Sequence, residues 1–175
     1  MKLRLATNND LPALYKVYRD IIHHMELNNI NIWDDYYPTE LFKKDIQNEC
    51  LYVLVNHHEE ILAAFALCAS AVGLKELSWK NPSANALYLE RFAVNVNYLK
   101  RGIGISMLQH AKSLTKMKGI QYLRLLVVDS NTPAIKMYKK NSFLQVEGMY
   151  EEKMNEDFIL YEVGFEYEIK QSANE

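Results

Sequence analysis

A chain of 175 residues, 49% hydrophobic and 24% charged, is long enough to bury one core without disulfide or metal staples and has an ordinary globular composition. A net charge of −2 supplies no basic face of the kind that marks nucleic-acid binding, and no apolar run approaches the ~20 residues that cross a bilayer. The two cysteines, Cys50 and Cys68, sit in apolar segments without a paired motif, and the start of the chain lacks the apolar stretch of a signal peptide. The expectation is a single cytoplasmic domain over residues 1–175 with free thiols and no metal.

Leu3 to Ala6 predicts a first strand. Thr7-Asn8-Asn9-Asp10 then offers helix caps, and Pro12 suits a first helical turn. Leu14, Val17, Tyr18, Ile21 and Ile22 form one apolar stripe at helical spacing, which Asn28-Asn29 ends. Residues Ile30 to Pro38 make an aromatic loop or short helix, and a second helix starts near Thr39. The apolar runs Leu51 to Val55 and Ile61 to Ala69, split by His57-His58-Glu59-Glu60, predict an antiparallel hairpin. Lys75 to Ala86 is polar and reads as a loop, followed by a strand from Leu87 to Val94.

Ile103, Met107, Leu108, Ala111 and Leu114 predict a helix that Gly119 stops. Tyr122 to Val128 is nearly continuous in apolar residues, as a strand buried on both faces should be. Thr132 is the expected cap of a short helix with Pro133 at its first position, and Asn141 its expected left-handed end. Leu144 to Val146 and Ile159 to Ile169 predict two last strands, the second long enough to pair at an edge and so join two copies in a homodimer. The order predicts a mixed α/β (α+β) sheet containing one parallel strand–helix–strand unit.

The run Asn97-Tyr98-Leu99-Lys100-Arg101-Gly102-Ile103-Gly104-Ile105 joins that strand to that helix. A glycine-rich basic turn at a helix N-terminus can hold phosphate, because main-chain N–H groups there lack partners and the dipole is positive. Two glycines can also do no more than tighten the junction. A dinucleotide-binding fingerprint requires a third glycine where Met107 stands, and a Walker A loop requires Gly-Lys-Ser/Thr, so a nucleotide-binding domain is disfavoured.

About thirty residues after the turn comes Asn131-Thr132-Pro133-Ala134-Ile135-Lys136-Met137-Tyr138-Lys139-Lys140-Asn141-Ser142-Phe143. Together with Leu87 to Val94 and Lys100-Arg101-Gly102-Ile103-Gly104, this resembles the GNAT superfamily of acyl-CoA-dependent N-acetyltransferases over nearly the whole chain. The family pattern is Gln/Arg-x-x-Gly-x-Gly/Ala, then Asn, then a short helix carrying Tyr and ending in Gly-Phe. Leu99 stands at the Gln/Arg position, and Asn141-Ser142-Phe143 replaces the Gly-Phe ending, with Asn141 expected to substitute for glycine.

The resemblance implies a central, mostly antiparallel sheet with a parallel, splayed pair and helices on both faces. It also implies acetyl-CoA lying along the strand that ends at Val94. The main chain from Leu99 through Lys100, Arg101, Gly102, Ile103 and Gly104 to Ile105 would then cradle the diphosphate. Edge groups of Phe92 and Val94 would meet the pantetheine amides, and an N–H near Ala93 or Val94 would face the thioester oxygen. Asn131 would contact the cofactor or simply start its helix.

Tyr138 matches the family's acid and would protonate the leaving thiolate; packed beside Ile135 and Met137 it would be an ordinary core aromatic. Histone-acetylating relatives place a Glu where Tyr88 stands. Glu90, two residues on along the same face, is the candidate base, with a salt bridge as the alternative. Trp33, Asp34, Asp35, Tyr36 and Tyr37 would line a pocket for an amine acceptor or close the core. His23-His24 and His57-His58, as adjacent pairs, do not form metal sites alone. The expected activity is transfer of an acetyl group to a primary amine of a small molecule or peptide, without nucleic acid or membrane partners. The rival is a catalytically silent acyl-CoA-binding regulatory domain.

Overall fold

Hydrophobic periodicity and turn chemistry account for most elements of the computed structural model, which describes residues 1–34, 36–154 and 158–170. The strands are β1 (Lys2–Leu5), β2 (Leu51–Val55), β3 (Ile61–Cys68), β4 (Leu77–Ser78) and β5 (Ala86–Val94). They continue as β6 (Tyr122–Val128), β7 (Leu144–Gln145), β8 (Glu147–Gly148), β9 (Tyr150–Lys153) and β10 (Ile159–Glu168). The helices are α1 (Leu11–Leu27), α2 (Phe42–Gln47), α3 (Ile103–Met117) and α4 (Thr132–Lys140). Two units divide the chain, Met1–Leu67 with Glu90–His110 and Cys68–Leu89 with Ala111–Glu175.

In the first unit β1 pairs antiparallel with β2, β2 pairs antiparallel with β3, and β3 neighbours β5. The expected hairpin of β2 and β3 is present, and both strands are buried almost throughout. Leu14, Tyr18, Ile21 and Ile22 of α1 are buried, as their stripe predicts, and Asn29 ends the helix with a φ of 58°. A short 3-10 turn, Asn8–Asp10, precedes α1. The Asp10 carboxylate accepts from the Thr7 N–H (2.7 Å) and from both Arg4 terminal nitrogens (2.8 Å each), tying β1 to the start of α1.

In the second unit β5 and β6 form the parallel pair, Ala86 to Tyr88 opposite Tyr122 to Arg124. The mixed α/β class with a mostly antiparallel sheet is therefore present. β10 pairs antiparallel with β6 on one side and with β7 and β9 on the other. It is an inner strand, so the expected edge pairing through Ile159 to Ile169 is not available to a homodimer. The expected loop at Lys75 to Ala86 contains β4, which pairs with β8. Two-residue strands leave no period to read. Their closeness rests on Gly148, where a Cβ would lie 2.2 Å from the Glu76 carbonyl oxygen.

Two helix ends differ from expectation. Asn131, not Thr132, caps α4, its side-chain oxygen accepting from the Ala134 N–H (3.3 Å). Asn141 keeps a φ of −101° and Ser142 takes the left-handed conformation, with a φ of 64°. The Asn141 side chain instead donates to the Met137 carbonyl (2.9 Å), which holds it in the last helical turn.

Candidate active site

The end of β5 is fixed before the glycine turn begins. Asn95, buried beside β3, donates its side-chain amide to the Ile61 carbonyl (2.8 Å) and its N–H to the Leu62 carbonyl (2.9 Å). Its side-chain oxygen accepts from the Asn97 N–H (3.1 Å), which folds a 3-10 turn over Val96–Tyr98. The Tyr98 hydroxyl donates to Glu60 (2.6 Å), and the Arg101 guanidinium lies over the Tyr98 ring at 5.3 Å. The Leu99 N–H donates to the Val96 carbonyl (3.4 Å), so the turn itself uses that amide.

Beyond Leu99 the main chain has the form of an anion seat. Lys100 and Gly102 both have positive φ, 61° and 76°, on either side of Arg101. Such alternation turns neighbouring N–H groups toward one point. The first i−4 hydrogen bond of α3 runs from the Ser106 N–H to the Gly102 carbonyl (3.0 Å), which leaves the N–H groups of Ile103, Gly104 and Ile105 at the helix mouth without one. Ile103 is buried and anchors the helix, whereas Lys100 and Arg101 are exposed. The diphosphate of acetyl-CoA fits this main chain and these two charges.

Along β5, Ala93 is buried, and Glu90, Phe92 and Val94 are half-buried. Phe92 stacks on Phe65 with ring centroids 6.4 Å apart. The register with β6 ends at Tyr88, and at Arg91 the strand takes a left-handed kink, with a φ of 52°. The Glu90 carboxylate lies 3.4 Å from a terminal nitrogen of Arg91, so the salt bridge expected as its alternative role exists. Arg91 is itself buried, its Nε 2.7 Å from Asp45 Oδ2 and its Nη2 donating to Asp45 Oδ1 (3.1 Å). Burial pushes the Asp45 carboxyl above the usual range, and the Arg91 charge opposes that shift.

Tyr18, which its helical stripe marks as core, also has a polar task. Its hydroxyl donates to the Arg91 carbonyl (2.5 Å), and its ring stacks on Trp33 at 5.7 Å. Burial raises the Tyr18 pKa, so the hydroxyl stays a donor. Trp33 is therefore connected to β5 through Tyr18. Tyr37 is half-buried, and Tyr36, 75% exposed, closes nothing. Asp34 shapes the loop: its side chain accepts from the N–H groups of Tyr36 (2.8 Å) and Tyr37 (2.7 Å). Asp35 lies outside the described residues.

The second unit holds Tyr138 and Asn131. Tyr138 is buried on α4, edge-on to Phe143 at 5.7 Å and 6.1 Å from Phe165. Its carbonyl accepts from the N–H groups of Asn141 (3.0 Å) and Phe143 (3.1 Å). Lys112 completes this end, donating to the Asn141 carbonyl (2.6 Å) with its ammonium 3.7 Å from the Tyr167 ring centroid. Asn131 has the helix-start role in its capping bond. Sequence reasoning passed over Asn95, Lys112, and the polar role of Tyr18. A polar residue directly after an apolar strand was the available signal for Asn95.

The sequence model of the Acetyltransferase (GNAT) family matches residues 14–143, most of the chain and all of the turn and α4. The chain belongs to the GNAT acetyltransferase family. No curated protein matches it by sequence. A GNAT acetyltransferase of Listeria monocytogenes superposes with a TM-score of 0.74 at 15% identity, over 95% of this chain and 94% of that one. The ribosomal-protein-S18-alanine N-acetyltransferase of Escherichia coli gives 0.68 at 19%, over 98% and 96%. Ard1 of Thermoplasma volcanium gives 0.71 at 16%, over 97% and 98%. At these identities the superpositions show that this GNAT chain has the family's fold.

Proposed function

We propose that the protein is an acetyl-CoA-dependent N-acetyltransferase in which an acceptor amine attacks directly within a ternary complex. The observation that carries this reading is the anion seat between Lys100 and Ile105, built from positive-φ main chain, a helix N-terminus and two exposed cations. Acetyl-CoA, when bound, supplies an acetyl thioester. The chain's own groups then hold the diphosphate at the turn, align the pantetheine arm along Glu90 to Val94, and offer the Tyr138 hydroxyl as the proton source for the departing thiol. Glu90 takes the amine proton directly or through water, and Trp33 with Tyr37 borders the acceptor.

The acceptor class is a primary amine of a small molecule or peptide. The E. coli structure is named for an alanine of ribosomal protein S18, which makes short peptides with a free N-terminal alanine a reasonable part of any acceptor panel. Calorimetric titration with acetyl-CoA tests the seat. Replacing Lys100 and Arg101 together by Ala should weaken binding about tenfold and flatten its salt dependence. A wild-type chain that binds no acetyl-CoA contradicts the reading.

A further inference from the structure

Arg91 is an anomaly within β5. It is a bulky side chain with a φ of 52° in mid-strand, and it is buried with its charge. Isolated, such a residue carries backbone strain and a costly desolvation, so it persists only where its surroundings determine it. Two contacts from separate elements do that. The α2 carboxylate of Asp45 meets the guanidinium at 2.7 and 3.1 Å, and the α1 hydroxyl of Tyr18 meets the main-chain carbonyl. Asp45 is held in turn, its Oδ1 accepting from the Cys50 thiol at 3.7 Å.

We propose that Tyr18 and Asp45 form a two-point clamp on Arg91 that fixes its left-handed conformation in β5, making both of them positioning residues for the Glu90 carboxylate and the Phe92–Val94 main chain. The clamp acts at both ends of one residue. Asp45 keeps the guanidinium turned inward while Glu90 approaches its remaining terminal nitrogen, 3.4 Å away. Tyr18 pins the carbonyl of the residue whose conformation directs the chain after Glu90. The Tyr18 ring also carries Trp33 and, edge-on at 4.7 Å, Phe42. A shift of the aromatic loop that reached Tyr18 would therefore be felt at Arg91. The proposal rests on the acetyl-CoA reading for its functional meaning, but the clamp itself is a property of the ligand-free chain.

The test uses Tyr18→Phe and Asp45→Asn in the full chain, with Asp10→Asn as a control that weakens another ion pair, Arg4–Asp10, in the same unit. Amide hydrogen exchange of residues 90–94 is measured without ligand, and the acetyl-CoA dissociation constant by calorimetry. Both clamp variants should exchange these amides about tenfold faster than wild type and bind acetyl-CoA several-fold more weakly, with the control unchanged in both readouts. Unchanged exchange at 90–94 in a folded Tyr18→Phe protein overturns the clamp, as does an equal effect of the control. Should Asp45→Asn fail to fold, Tyr18→Phe alone decides, because it keeps the ring and removes only the hydroxyl. Faster exchange in a protein whose wild type binds no acetyl-CoA upholds the clamp and contradicts the proposed function.

Discussion

The chemistry proposed for this chain comes down to a few atoms. Tyr138→Phe removes one hydroxyl from a residue whose ring is packed against Phe143 and Phe165. The fold and acetyl-CoA affinity should survive while steady-state turnover falls about tenfold or more. Near wild-type turnover would leave Tyr138 a core aromatic. Glu90→Gln should remove the acid limb from the pH–rate profile, whereas an unchanged profile takes Glu90 out of the reaction and leaves its ion pair with Arg91 structural. Gly102 is a different case. A Cβ there meets nothing within 4 Å, yet its φ of 76° favours glycine, so Gly102→Ala should cost about 1 kcal/mol in denaturant melts. Acetyl-CoA affinity should drop with it, because the N–H groups of the seat follow that dihedral. Gly102 and Tyr138 are marked by the family motif, and these variants test the roles the resemblance implies for them. Ser142 was not legible in the sequence: Asn141 has the better left-handed propensity, and only its side-chain bond to Met137 explains why its neighbour adopts the turn instead.

Elements followed their periodicity wherever they were long. The stripe of α1, the β2–β3 hairpin, the strand–turn–helix unit of β5 and α3, and α4 all lie close to their expected positions. Two-residue strands such as β4 and β8 show no alternation, and no local signal says that β10 is an inner strand. Buried charge was equally hidden. Arg124 interrupts the apolar run of β6, fully buried, with Nε 3.2 Å from Glu166 on β10 and Nη2 donating to the Asn81 carbonyl (2.7 Å). Glu166 also accepts from the Lys80 N–H (2.9 Å), so these two side chains fix the loop before β5. Glu166→Ala should cost about 3 kcal/mol in denaturant melts, because it strands a buried guanidinium; replacing both partners by apolar residues should cost less. At the start of α1, hydrogen bonds from Arg4, supported by Thr7, hold the Asp10 carboxyl below its ordinary value of 3.8. That contribution is complete above the ordinary value and is lost as pH falls through the lower folded-state one. The melting-temperature gap between wild type and Asp10→Asn should therefore be constant near neutrality and close in acid.

At the scale of the whole molecule, the candidate residues are divided between the two units. The first holds Glu90, the clamp on Arg91, the strand end and the anion seat; the second holds the parallel β5–β6 register and Tyr138. The family was legible in the sequence because its motif is carried by a few residue types at fixed spacing, while the fold is shared at 15% to 19% identity with the structures compared. The acceptor is not written in the same way, since Trp33, Tyr36 and Tyr37 differ in burial and share no motif. No helix among the described residues is long and apolar enough to cross a membrane. The central claim is acetyl transfer to an amine, and its most direct test is release of CoA thiol from acetyl-CoA across a panel of alkylamines and free-N-terminal peptides. Amine-dependent release that Tyr138→Phe suppresses is the predicted result. Tight acetyl-CoA binding with no amine-dependent release from any member of the panel would contradict it and make the chain a silent acyl-CoA-binding domain.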